Sequence, residues 1–136
     1  MIFVLDNNLP PPLARGLAEF TASTHSQHSV LHLSDLMRRN TPDAEWIANL
    51  AADGKHVVVT QDRLNKGLER EALRRAGLLV FMLDKNWAQH PFWPKATNLV
   101  NWWPRIIEMT ESIQGGAAFK VPWKKSGVGR FEQIKL

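Results

Sequence analysis

Ile2-Phe3-Val4-Leu5-Asp6-Asn7-Asn8-Leu9-Pro10-Pro11-Pro12 opens the chain, and its order decides the fold. Four apolar residues without alternation predict a short strand buried on both faces. An aspartate ends the run, and prolines lead into a helix, where proline's fixed φ suits the first turn. The same phrase returns three times: Val30–Leu33 precedes Asp35, His56–Thr60 precedes Asp62, and Leu78–Leu83 precedes Asp84. Helical spacing fills the intervals, with Leu13, Leu17 and Phe20 in the first and Trp46, Ile47 and Leu50 in the second. Leu64, Leu68, Ala72 and Leu73 follow in the third, closed by Gly77. The resulting β-α-β-α-β-α-β order predicts parallel strands whose C-terminal ends, aspartates included, share one edge of the sheet.

That edge is where open α/β sheets hold their ligands. Crowded carboxylates repel one another unless a positive charge sits among them. Asp43 and Glu45 add two more acids at the start of the second helix, for which Thr41 reads as N-cap and Pro42 as N1. An oxygen-rich cluster suits a hard divalent cation, Mg²⁺ or Mn²⁺, which acidifies a bound water and stabilises charge on a phosphoryl group. Each acid also has a structural alternative as a turn or capping residue. Asp84, before Lys85-Asn86, reads as a plain turn residue. Asp35 serves equally to start the Leu36-Met37 turn, and Glu45 to complete a cap. Asp6 and Asp62 follow their strands most closely, and Asp43 lies in the crossover beside them.

Composition narrows the chemistry. The 136 residues are 44% apolar and 22% charged, values of one ordinary globular domain. The absence of cysteine excludes disulfides, thiolate zinc sites and a cysteine nucleophile. Charge arrives at Asp6 before any signal-peptide core forms, and no apolar run approaches the ~18 residues of a membrane span, so a soluble cytoplasmic protein is expected. His25, His28 and His32 fall on a loop and a strand, which argues against zinc. No glycine-rich loop follows the first strand, so a dinucleotide cofactor is unsupported.

Residues 1–90 hold ten Lys/Arg and ten Asp/Glu, whereas residues 91–136 hold seven and three and thus carry the whole net charge of +4. Such asymmetry predicts either a nucleic-acid surface or a solubilising terminus. Trp87, Phe92, Trp93, Trp102 and Trp103 crowd an interval broken by Pro91, Pro94 and Pro104. They would stack on bases or pack a last helix, expected from Trp103 to Ile113 and starting or kinking at Pro104. A domain of residues 1–113 is therefore expected, followed by a basic tail of residues 114–136, extended or disordered.

Three stretches in order carry a family resemblance: Val4–Pro10, Thr41-Pro42-Asp43-Ala44-Glu45-Trp46-Ile47, and Val57-Val58-Val59-Thr60-Gln61-Asp62-Arg63. With Glu69–Leu83 and Trp103–Ile107, the chain resembles the PIN-like domains related to VapC-type toxin ribonucleases over residues 2–113. The resemblance implies a three-layer α/β/α fold with a mostly parallel sheet of at least four strands. It also implies an Mg²⁺- or Mn²⁺-dependent ribonuclease that is the toxin of a toxin–antitoxin pair. Asp6, Asp43 and Asp62 would be the catalytic, metal-site acids, with Glu45 and Asp35 beside them in the metal set. By their charge, Arg63 and, in the tail outside the resemblance, Lys124 and Lys125 would hold RNA, and the partners would be an RNA substrate, a cognate antitoxin and, as a further arrangement, a second copy of the chain. Leu64 stands where relatives often carry another acid. That departure and the basic tail keep open a module that binds RNA or protein without cutting. A receiver-like signalling domain also gathers strand-end aspartates, but it wants an acid pair after the first strand where this chain has Asn7-Asn8.

Overall fold

The computed structural model describes residues 1–61 and 67–135, with side chains given for all but 67–71 of these. In chain order its elements are β1 (Ile2–Leu5), α1 (Pro11–Thr24), β2 (Ser29–His32), α2 (Asp43–Ala51) and β3 (His56–Thr60), then α3 (Gly67–Ala76), β4 (Leu79–Leu83), α4 (Phe92–Ser112), β5 (Ala117–Val121) and β6 (Glu132–Ile134). They build a six-stranded sheet of order β2-β1-β3-β4-β5-β6. The pairs from β2 through β5 are parallel, and β6 alone runs antiparallel, against β5. The parallel α/β order read from the strand–acid phrase, and the three-layer arrangement implied by the resemblance, are the fold of the protein.

Alternation along the strands splits the core into two layers. Phe3, Leu5, Val57, Val59, Phe81 and Phe119 point to one face, where they meet Leu13 and Leu17 of α1 and Leu99, Trp102, Trp103, Ile106 and Ile107 of α4. Val4, Val58, Val80, Met82 and Ala118 point to the other, where they meet Trp46, Ile47 and Leu50 of α2 and Leu73 of α3. The first layer has helices of 14 and 21 residues; the second has helices of 9 and 10.

Several expectations change. The segment expected as an appended tail is part of the sheet: Leu79 to Leu83 pair in register with Ala117 to Val121, and Ala118 to Lys120 pair with Ile134 to Glu132. Phe119 and Val121 are buried, so the hydrophobic face of β4 supplies what these residues lack in local signal. The last helix begins at Phe92, not Trp103. Pro91 is its N-cap and Pro94 lies in the first turn, where no N–H is needed. Pro104 sits inside the helix, at a typical cost of about 3 kcal/mol. The flanking Trp102, Trp103, Ile106 and Ile107 are all buried, and each contributes roughly 2 kcal/mol or more, which outweighs it. Pro42, not Thr41, caps α2; the Thr41 hydroxyl instead donates to the Arg38 carbonyl at 2.7 Å. Phe20 is exposed rather than inward, its place taken by Thr21, whose hydroxyl receives the Trp103 indole N–H at 3.0 Å.

Candidate active site

The first and third strands are neighbours, yet their following helices lie on opposite faces, α1 on one and α3 on the other. Such a switch point opens a crevice at the C-terminal ends of the strands. Asp6 stands in it. Its backbone N–H donates to the Val59 carbonyl at 3.0 Å, continuing the β1–β3 ladder by one residue. The residue is only 7% exposed. Oδ1 receives the Asn7 N–H at 2.6 Å, and Oδ2 receives the Thr60 hydroxyl from the end of β3 at 2.8 Å. The carboxylate is thereby fixed in orientation by donors from two strands.

Its surroundings are oxygen-rich. Asn8 Oδ1 receives the Gln61 N–H at 3.2 Å, which closes the loop after β1 onto the end of β3. Asn7 Oδ1 and Gln61 Oε1 are both buried and, among the described residues, accept no hydrogen bond. Buried side-chain oxygens without a donor are costly, about 1–3 kcal/mol each, and are rare in native proteins. Both residues flank the ends of β1 and β3, next in sequence to Asp6 and Thr60. The donor set is all oxygen, which fits Mg²⁺ or Mn²⁺ and not a softer metal. The strand–acid phrase pointed to Asp6 but not to Asn7, Thr60 or Gln61. Their only sequence signal is that they are the polar residues flanking two adjacent strand ends.

The loop after β1 is held by a histidine. His32, buried at the end of β2, lies 2.7 Å from the Leu9 carbonyl through Nε2, which must therefore carry the proton. Its Nδ1 then accepts from the Ser34 N–H at 3.1 Å. His28 is equally structural: the chain's amino terminus donates to Nδ1 at 3.0 Å, and Nε2 donates to Glu111 Oε2 at 3.2 Å. That bond, with a second from Gln27, holds the Glu111 carboxyl below the ordinary carboxylate range.

The other predicted acids are dispersed over several roles. Asp43 is the first residue of α2, and its Oδ1 receives the N–H of the buried Trp46 indole at 2.7 Å. Glu45 lies in the same first turn and is exposed. Asp35 is part of a capping box on the 3₁₀ turn Leu33–Asp35, its Oδ2 accepting the His32 N–H at 3.0 Å. Asp84 caps the 3₁₀ turn Lys85–Gln89 through the Asn86 N–H at 2.9 Å, the plain turn role read from the sequence. Asp62, Arg63 and Leu64 lie outside the described residues. Among the described residues, no three His, Asp or Glu side chains form a group able to hold a metal.

The cations fare differently. Because β5 runs parallel to β4, the β5–β6 connection emerges at the same edge as Asp6, and it carries Lys124, Lys125 and Arg130. This connection is pinned to α4. Asn98 Nδ2 donates to the Trp123 carbonyl at 2.7 Å, Arg105 Nε donates to the Gly129 carbonyl at 2.9 Å, and the Trp123 ring stacks on His90 at 3.6 Å. Lys124 is exposed and Lys125 half-buried. At the start of α4 on that edge, partial burial lowers the Lys95 ammonium below its usual value, while Trp93 is 76% exposed. The other tryptophans of the cluster, Trp87, Trp102 and Trp103, are core.

A doubly wound α/β/α sheet with a fixed carboxylate at its switch point defines a class of ligand-edge domain. More narrowly, the chain belongs to the PIN-like domain family, whose model matches residues 1–85, from β1 to just past β4. PIN-like domains are generally nucleases. Comparison with curated proteins and with solved structures gave no match. The helix α4 and the strands β5 and β6 lie beyond the matched residues. Among the described residues, no helix is long and apolar enough to cross a membrane.

Proposed function

We propose that the protein is an Mg²⁺- or Mn²⁺-dependent endoribonuclease, acting as the toxin of a toxin–antitoxin pair. The observation that carries this reading is the buried Asp6 carboxylate, held in one orientation at the β1–β3 crevice by the Asn7 N–H and the Thr60 hydroxyl. Asp6, Asn7 and Gln61 would hold the ion, with Asp62 and Asp43 as the further acids that the family resemblance assigns. A bound divalent ion there supplies an acidified water and neutralises phosphate charge. The chain's own part is positional. Thr60 and the Asn7 N–H keep Asp6 from rotating, and the Asn8–Gln61 bond keeps the two strand ends at one spacing. Arg63, Lys124 and Lys125 hold the RNA backbone by charge, a term that weakens with salt. The cognate antitoxin would silence the enzyme by covering this edge.

One observation favours a second reading, a PIN-like module that binds RNA or protein without cutting. Asp43 is already engaged by Trp46 and Asp35 by its cap, which leaves few described acids for a metal. A panel of structured RNAs incubated with Mg²⁺, Mn²⁺ or EDTA separates the two. Cleavage that needs the metal and disappears in Asp6→Asn supports the nuclease. Cleavage retained by a folded Asp6→Asn protein rejects the assignment of Asp6. RNA binding that survives both EDTA and the substitution, without cleavage, selects the binding module.

A further inference from the structure

The connection between β5 and β6, residues 122–131, holds Lys124, Lys125 and Arg130 and no carboxylate. The acids beside it are engaged elsewhere: Glu132 faces Lys120 at 3.9 Å, and Glu108 of α4 faces Arg105 at 3.2 Å. Within the connection, Lys124, Ser126 and Arg130, with Pro122 and Gly127, line an open hollow of about 570 Å³. Lys124 and Arg130 are exposed, and among the described residues neither they nor the Ser126 hydroxyl bond to a protein group. Lys125 does not line the hollow. Its stem packs against Gly129, with Cε 3.2 Å from where a Cβ would stand.

We infer that this hollow binds a phosphate group of an RNA strand, internal or terminal; the inference rests on the reading that the protein acts on RNA. Chemistry is the first argument. An uncompensated ammonium and guanidinium draw an anion, and the guanidinium fork takes phosphate oxygens in pairs. The hollow also offers neutral donors, the Ser126 hydroxyl and the Gly127 N–H, which a phosphate has enough oxygens to accept and a lone carboxylate does not. Rigidity is the second. The Trp123 ring stacks on His90 at 3.6 Å and meets Trp87 edge-on at 4.9 Å, which anchors the chain just before Lys124. The Gly129 N–H closes a turn on the Ser126 carbonyl at 3.0 Å, with Gly127 at φ +59°, and Arg105 bonds the Gly129 carbonyl just before Arg130. The backbone carrying both cations is thus set in advance, and binding orders only their side chains. Position is the third. β5 is three strand spacings from β1, so its C-terminal end lies about 14 Å from Asp6 along the edge. A phosphate held there belongs to a part of the RNA away from the scissile bond. All five lining residues lie beyond the family match to residues 1–85.

The test is fluorescence anisotropy of a 3′-labelled 12-nucleotide oligouridylate in EDTA, where metal-dependent cleavage is stopped, over a range of salt. Two forms are compared, one beginning with a 5′-hydroxyl and one with a 5′-phosphate. The double variant Lys124→Gln, Arg130→Gln is expected to bind about tenfold more weakly, with a log–log salt slope smaller by about 0.7, the share of one phosphate. A loss shared by both oligomers supports the site and places an internal diester in it. A loss confined to the phosphorylated oligomer supports it and places the strand's end there. Lys55→Gln, which removes a cation just before β3 at the opposite edge, is expected to change affinity by less than about twofold. Thermal melts matched to the wild type establish that each variant is folded. The site is overturned if the double variant binds as the wild type does, or if Lys55→Gln costs as much. It is also overturned if the wild type binds neither oligomer, or prefers a polyglutamate peptide, which would assign the hollow to an acidic protein partner. Each of these leaves the nuclease reading to its own cleavage assay.

Discussion

The two faces of the sheet are built to different standards. One is sealed by α1 and the 21-residue α4, with Trp102, Trp103, Leu99 and Ile106 driven into it. The other is covered by two short helices over part of its width, and beside them lies an open cleft lined by Lys85, Lys120, Asp84 and Glu132. The contrast teaches where this protein keeps stability and where it leaves room. The long helix can carry an internal proline because it buries so much, whereas the short helices position loops and acids around an edge.

Substitution should expose that division. The largest effect belongs to the sealed face: Trp103→Ala removes a buried ring that packs on Phe3 at 5.1 Å and bonds to Thr21. It is expected to destabilise by about 3–5 kcal/mol, read from the urea midpoint. A comparable loss from Lys85→Gln on the open face would break the comparison, since surface changes there should stay within about 0.5 kcal/mol. Gly129→Ala comes next. Gly129 has φ +98°, and an added Cβ would lie 2.8 Å from the Trp102 ring. A loss of about 2 kcal/mol is expected from strain and displacement of the basic connection, again from denaturation.

The smallest effect concerns the His28–Glu111 hydrogen bond that ties the segment before β2 to α4. His28 and Gln27 hold the Glu111 carboxyl below its ordinary value of 4.5. A carboxyl depressed on folding contributes stability that is present above its unfolded value and lost as pH falls through the folded one. The melting temperature of the wild type should therefore exceed that of Glu111→Gln slightly at neutral pH, with the gap closing below about pH 4.5. A gap that persists or widens in acid would mean that Glu111 acts through something other than its charge.

The parallel core and the position of Asp6 were legible because they rest on local patterns: an unbroken apolar run, an acid, a proline-led helix. The fifth and sixth strands were not. Ala117-Ala118-Phe119-Lys120-Val121 is too short and mixed to declare itself, and its partner β4 lies more than thirty positions earlier. Prolines hid the first half of α4 because their ordinary meaning, an interruption, is reversed at a helix start. Among the acids, sequence could rank closeness to a strand end but not hydrogen-bond partners. Asp43 and Asp35 look alike on paper, yet one holds the Trp46 indole and the other closes a turn. The amide oxygens of Asn7 and Gln61 carry no pattern, since their significance arises only when β1 and β3 become neighbours.

The most direct measurement is isothermal titration of Mn²⁺ into the protein without RNA, comparing the wild type with Asp6→Asn. If Asp6 and its neighbouring oxygens form the metal site, the wild type binds with a resolved isotherm and the variant, folded by circular dichroism, shows at least about a tenfold loss of affinity. Equal binding by both proteins, or none by the wild type, would contradict a metal centre at the β1–β3 crevice.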